Sequence, residues 1–205
     1  MGIYINIGNA NFQSARNSEY VDKSGLIRVV NSTLFTEQRF TCVTRCRRFG
    51  KSMAAKMLCA YYDHSCDSRS LFADLEIVND PSFELHLNKY PVIYLDMTDF
   101  VEHFHDADIL DRIKRKLKTD ICKAYPQVAV DEDADLMETL LAINAETGQT
   151  FVLIIDEWDA MCREQMPGTS TMDDYVEWLR RMFKGANAQR VFAAVYMTGI
   201  LPIKK

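Results

Sequence analysis

Short runs of apolar residues alternate along this chain with stretches in which apolar positions recur every three or four residues. The first kind suits strands buried in a sheet and the second suits helices laid upon it. Their alternation is how a mainly parallel sheet covered by helices on both sides reads. Residues 39–44 predict a short strand ending in a basic turn. Residues 52–62 predict a helix, with Ala54, Met57, Leu58 and Tyr61 spaced to form one face. A second strand is expected over Val92–Asp96, after Tyr90-Pro91. A helix over 106–124 carries the apolar stripe Leu110, Ile113, Leu117 and Ile121, and another over 134–145 stops near Gly148. Phe151 to Ile155 is continuously apolar, as a strand covered on both faces must be, and it ends in Asp156-Glu157. A helix over 171–184 is expected to start at a Thr171 cap and to bury Tyr175, Val176, Leu179, Met182 and Phe183. The last strand covers 191–197, and Thr198-Gly199 follows it.

Composition narrows the class. The chain has 205 residues, which fits one domain spanning 1–205, and 48% apolar with 26% charged residues excludes disorder and fibrous repeats. A net charge of −5 argues against a protein whose main task is coating nucleic acid. The first residues lack a basic start followed by an apolar run, so no signal peptide is expected. Asn6 stands where myristoylation needs Ser or Thr. The longest apolar runs fall well short of the roughly 18 residues that span a bilayer. The cysteines form no CxxC pair and no zinc-type cluster with histidine, which predicts reduced thiols and a cytoplasmic protein.

The chemistry concentrates at two strand ends. In the segment from Thr44 to Ser52, a strand runs through a basic loop into Gly50-Lys51-Ser52 and a helix. A phosphate-binding loop needs that context, because its backbone N–H groups and the helix N-terminus must face the anion. Gly50 lets the backbone approach phosphate, Lys51 reaches the β and γ phosphates, and Ser52 ligates magnesium. The first glycine of the GxxxxGK[ST] pattern would fall at position 45, where the chain has Arg45. The tripeptide alone therefore weighs evenly against a chance match in a turn, and the second strand end decides. A carboxylate closing a buried apolar strand is costly without a partner. Asp156 is expected to hold magnesium, directly or through water, and Glu157 to polarise the attacking water. Together these read as the Walker A and Walker B elements of a P-loop nucleotide-binding fold, with a nucleoside triphosphate and Mg2+ as the expected ligands.

The strand Val92–Asp96 lies between the two motifs in sequence. This order marks the P-loop branch in which another strand separates the magnesium strand from the phosphate-loop strand. The run 191–197 is the candidate, and it would deliver Thr198 between the γ phosphate and Glu157 as a polar sensor.

The chain here resembles the predicted AAA-ATPase-like domains of bacteria, which are often fused to a PD-(D/E)xK nuclease-like domain. The resemblance covers nearly the whole length. It rests on the blocks Tyr20 to Ser24, Arg47-Arg48-Phe49-Gly50-Lys51-Ser52, Tyr90 to Asp96, Ile155 to Asp159, and Met197 to Ile200. The family's loop commonly reads SRPRRFGKS, so Arg45 in place of glycine fits it, whereas Cys46 in place of proline departs from it. The resemblance implies an α/β/α sandwich and ATP as the nucleotide, bound by residues 47–52. It also implies a regulated hydrolase and a downstream nuclease-like domain or other protein partner, with the segment at Tyr20 to Ser24 near the adenine.

Arg47 and Arg48 could stabilise phosphate charge or pair with carboxylates outside the loop; Arg48, nearer Gly50, is favoured for phosphate. His103-Phe104-His105 lacks a third ligand at metal spacing and reads as a solvated loop. Lys114 to Lys118 reads as an exposed helix face, and Trp158 and Trp178 as packing residues. Beyond Thr198 too little chain remains for the last strand and lid of this branch. The chain is thus expected to be a truncated form with the outer edge of strand 40–43 unpaired and turnover slow. Two other functions compete: a nucleotide-binding interaction module with little hydrolysis, and a small-molecule kinase using Asp96 as base.

Overall fold

The structure is a computed structural model that describes residues 2–103, 109–164 and 170–201. Helices α1 (Ala10–Arg16) and α2 (Gly25–Thr33) precede strand β1 (Phe40–Thr44) and helix α3 (Lys51–Tyr62). Two single-turn helices follow, α4 (Arg69–Phe72) and α5 (Phe83–His86), then β2 (Val92–Asp96), α6 (Met97–His103) and α7 (Ile109–Ala124). The remainder is α8 (Leu136–Thr147), β3 (Phe151–Asp156), α9 (Ala160–Glu164), α10 (Ser170–Phe183), α11 (Ala186–Val191) and β4 (Phe192–Gly199).

All four strands run parallel in the order β1-β4-β3-β2, so β4 separates the strand of the basic loop from the strand of Asp156, as expected. The apolar runs explain which strands lie inside. Every residue of β3 and β4 is buried, because both have neighbours on both edges and helices on both faces. Strand β1 is the exposed edge, with β4 as its one partner among the described residues.

Alternation along the strands divides the core in two. Leu153, Ile155, Val195 and Met197 face α7, α8 and α10 through Ile113, Leu117, Leu140, Tyr175 and Leu179. Val152, Ile154, Ala194 and Tyr196 face α2 and α3 through Ile27, Met57, Leu58 and Tyr61. This makes a three-layer α/β/α sandwich. Each fully buried large apolar side chain contributes about 1.5–3 kcal/mol.

Several boundaries differ from expectation for identifiable reasons. Helix α3 buries Ala55, Cys59, Ala60 and Tyr62 besides the predicted stripe, because α1 and α2 cover the side that a one-faced helix would show to water. Helix α8 starts at Leu136 because Asp135 and Glu138 form a reciprocal capping box, and it ends at Gly148 in left-handed conformation (φ 69°). Val191 belongs to α11, so the last strand starts at Phe192 and runs to Gly199. In α10, Tyr175, Leu179 and Met182 are buried, while Val176 and Phe183 are half-buried. The helix opens at Ser170, so Thr171 stands within it, and the Thr171 side chain lies outside the described residues. So do residues 104–108, which held the start of the expected 106–124 helix and one of the two histidines, His105.

The N-terminal segment folds as a strap that periodicity did not reveal. The backbone N–H groups of Ile3, Tyr4 and Ile5 all donate to one Asp120 carboxylate oxygen, at 2.8, 2.7 and 3.2 Å. Ile5 forms an antiparallel bridge with Ile93, which covers the outer edge of β2. Gly8 N–H donates to Asp63 at 2.7 Å, pinning the strap to the end of α3. In the basic run on α7, Lys118 donates to the carbonyls of Asp131, Glu132 and Ala134 and so holds the acidic loop. No helix among the described residues is long and apolar enough to cross a membrane, and the six cysteines are all unpaired.

Candidate functional site

The carboxyl ends of β1, β3 and β4 converge on one cleft. After Thr44 the chain stays with β4 for one more residue, through a bond from Arg45 N–H to the Gly199 carbonyl at 3.2 Å. It then turns through two left-handed residues, Arg48 (φ 69°) and Gly50 (φ 73°), before α3 begins at Lys51. Gly50 adopts this conformation without a Cβ penalty. A Cβ there would also collide with Nζ of Lys23, which donates to the Phe49 carbonyl at 2.6 Å. The Tyr20 to Ser24 block, read from resemblance as lying near the adenine, thus braces the basic loop through Lys23. Phe49 belongs to the loop through its main chain, since its side chain is 62% exposed and does not line the cleft.

Lys51 is buried and curls back over the loop. Its Nζ lies 3.3 Å from the Cys46 carbonyl and 3.1 Å from Glu157 Oε1. The two motifs distant in sequence therefore meet across a single ion pair. Glu157 can reach because its backbone is left-handed (φ 50°), turning the chain sharply at the end of β3. Its second carboxylate oxygen accepts from Arg163 of α9 at 2.8 Å.

Asp156, the last residue of β3 and the neighbour of Glu157, is fully buried. One of its oxygens accepts from the Thr198 hydroxyl, and that hydroxyl accepts from Glu157 N–H at 3.1 Å. The other oxygen, Oδ2, has no hydrogen-bond partner. Sequence reasoning placed Thr198 between Glu157 and a phosphate; the structure buries it and engages its hydroxyl with Asp156 and the Glu157 amide. Asp159, also buried, accepts from Ile200 and Leu201 N–H at 3.0 and 2.8 Å, which fixes the turn after β4.

The cleft above has a volume of about 960 Å³. Arg47, Arg48, Gly50, Lys51 and Ser52 form its floor, Thr98 and Glu102 of α6 with Glu157 and Arg163 form one wall, and Asn11, Ser14 and Ala15 of α1 form the other. Neither Arg47 nor Arg48 pairs with a carboxylate among the described residues. Cationic side chains and the N-terminus of α3 thus surround a hollow of nucleotide size, which suits a polyanion.

A divalent cation fits the residues present. The unpartnered Oδ2 of buried Asp156 is an orphan that a cation would satisfy, and Ser52 supplies a hydroxyl from the first turn of α3. No cluster of three or more His, Cys, Asp or Glu that could hold a metal occurs among the described residues. One carboxylate and one hydroxyl, completed by phosphate and water, is how Mg2+ is commonly held, whereas a dedicated protein cage is not.

Asp96, paired in register with Asp156 on the neighbouring strand, is pushed up to about 6 by burial and then by the charges of Asp156 and Asp99. Sequence reasoning missed Arg163 and the α1 wall, and it set Lys23 in a block near the adenine where the structure joins it to the Phe49 carbonyl. Arg163 did carry a signal, since Asp159 and Arg163 stand four apart, a spacing that pairs charges on a helix.

Neither a curated protein nor a solved structure matches the chain. A family model described as predicted AAA-ATPase matches residues 6–205. The match takes in the basic loop, Asp96, Asp156 and Thr198, and the chain belongs to this AAA-ATPase-like family.

Proposed function

We propose that the chain binds ATP with Mg2+ in this cleft and hydrolyses it slowly, as a switch for a protein partner or a downstream domain. Membership of a family of predicted ATPases supports ATP binding and hydrolysis. The observation that carries the assignment to these residues is the 3.1 Å approach of Lys51 to Glu157, the neighbour of buried Asp156 with its unpartnered oxygen.

In this reading the loop N–H groups, Lys51 and Arg48 hold the phosphates, while Ser52 and Asp156 hold the cation. A cation held there would supply charge neutralisation to the phosphates. Glu157 accepts a proton from a water whose oxygen forms the new bond to the γ phosphorus. The bond from phosphorus to the bridging oxygen breaks, leaving ADP and inorganic phosphate. Thr198 positions Glu157 through its amide and Asp156 through its carboxylate.

A second reading, a nucleotide-binding interaction module with little hydrolysis, is favoured by one observation. Glu157 is already held by two cations and is not free to accept a proton. Calorimetric titration with ATP, with and without Mg2+, tests binding, which Lys51→Ala should abolish. Phosphate release tests hydrolysis: Glu157→Gln should end turnover and keep binding. Turnover above about 1 s⁻¹ contradicts the slow switch, being already within the range of ordinary enzymes. Binding without any phosphate release, in wild type as in Glu157→Gln, establishes the module.

A further inference from the structure

Arg163 lies outside the phosphate loop, yet it lines the same cleft as Lys51 and Ser52. Its Nη2 donates to Glu157 Oε2 at 2.8 Å. Its Nε lies 3.7 Å from Asp159 Oδ2, beyond hydrogen-bond reach, and both Nε and Nη1 are buried without an acceptor. A guanidinium carries five donors on a planar fork, and burying part of it unpaired costs free energy until another acceptor arrives. On the other side, Lys51 holds the remaining Glu157 oxygen. Two of the cleft's cations, Lys51 and Arg163, are therefore bound to the one carboxylate that hydrolysis needs free.

We infer that Arg163 reads the γ phosphate within its own chain. Without nucleotide it latches Glu157, and the terminal phosphate of ATP draws the guanidinium away and releases the carboxylate toward water. The inference rests on the reading of the cleft as an ATP site. A terminal phosphate offers three acceptor oxygens and more negative charge than a carboxylate, which matches the donors that Glu157 leaves unused. Lys51 is drawn off by the same anion. Asp159, fixed by the Ile200 and Leu201 amides, stays beside Nε and gives the side chain a pivot. ADP has no γ phosphate, so it leaves the Arg163–Glu157 pair closed. Hydrolysis would then reset the latch by removing the group that opened it.

The test compares Mg2+-ADP with the Mg2+ complex of a β,γ-imido ATP analogue, titrated calorimetrically into the full chain as wild type, Arg163→Gln and Arg163→Lys. Arg163→Gln should weaken the analogue about tenfold or more, the size of one charge-assisted hydrogen bond, and leave ADP within about twofold. Arg163→Lys, which keeps the charge and loses the fork, should recover part of the difference. Glu157→Gln should tighten the analogue in the wild-type background and less in the Arg163→Gln background. Equal loss for both nucleotides, or no loss for either, overturns the inference and leaves Arg163 as a structural staple of Glu157. Should Arg163→Gln fail to fold, as judged by its thermal melt, the lysine variant carries the same comparison. Wild-type protein that binds neither nucleotide sinks the ATP reading itself, a result distinct from any of these.

Discussion

Replacing Thr198 by valine removes one oxygen from the centre of the site and almost no volume. The hydroxyl is fully buried, donates to the Asp156 carboxylate and accepts from Glu157 N–H at 3.1 Å. A bond to a charged acceptor contributes about 1.5–3 kcal/mol and a neutral amide bond about 1 kcal/mol, so losing both costs about 2.5–4 kcal/mol. Asp156 would then keep no side-chain bond at all, because its other oxygen already has none. With a urea m-value of roughly 2–3 kcal/mol per molar, the unfolding midpoint should fall by about 1 M. Trp158 and Trp178 provide the fluorescence signal, recorded without nucleotide. Thr198→Ser keeps the hydroxyl and should lose far less. A valine variant within about 0.5 kcal/mol of wild type, the range of an ordinary surface substitution, refutes the argument. A serine variant as damaged as valine refutes it equally.

Two further outcomes follow from the same region. Gly199→Ala would place a methyl 2.6 Å from Trp158 Nε1 and 2.8 Å from Asp159 Oδ1. The indole is rigid and packed, so a loss of about 1–3 kcal/mol is expected in denaturant unfolding, and wild-type stability would show that the turn yields. Asp96 titrates near 6 in the folded chain against an ordinary value of 3.8, so between these values the folded state holds more protons than the unfolded one. Stability from this group is present at low pH and lost as pH rises through that window. Asp96→Asn should accordingly raise the melting temperature more at pH 7 than at pH 4, and a gain independent of pH contradicts the shift.

Much of this architecture was legible in the residues. The unbroken apolar run from Phe151 to Ile155 can only be a strand covered on both sides, and the order of motifs around Val92–Asp96 placed the last strand in the middle of the sheet. The Asp135–Glu138 box was also written in the chain, as an acid three residues before a glutamate ahead of an apolar run. The strap was hidden because its bonds join main-chain groups to carboxylates far along the chain, Asp120 and Asp63, and leave no periodic trace. Arg163 was half visible: its spacing from Asp159 is helical, but its contact with Glu157 depends on the left-handed turn at Glu157 itself.

The segment from Gly8 to Lys23 is riveted to α3 at both ends, by Asp63 beyond its last turn and by the Phe49 carbonyl before its first. Between these rivets α1 lies against α3, with Tyr20 touching Met57. The α1 side of the cleft is therefore a fixed jaw, moving only when the loop-bearing helix moves. Any closing on a ligand must come from the opposite jaw, where α6 and α9 stand, so labels that track opening belong on those two helices and reference labels on α1.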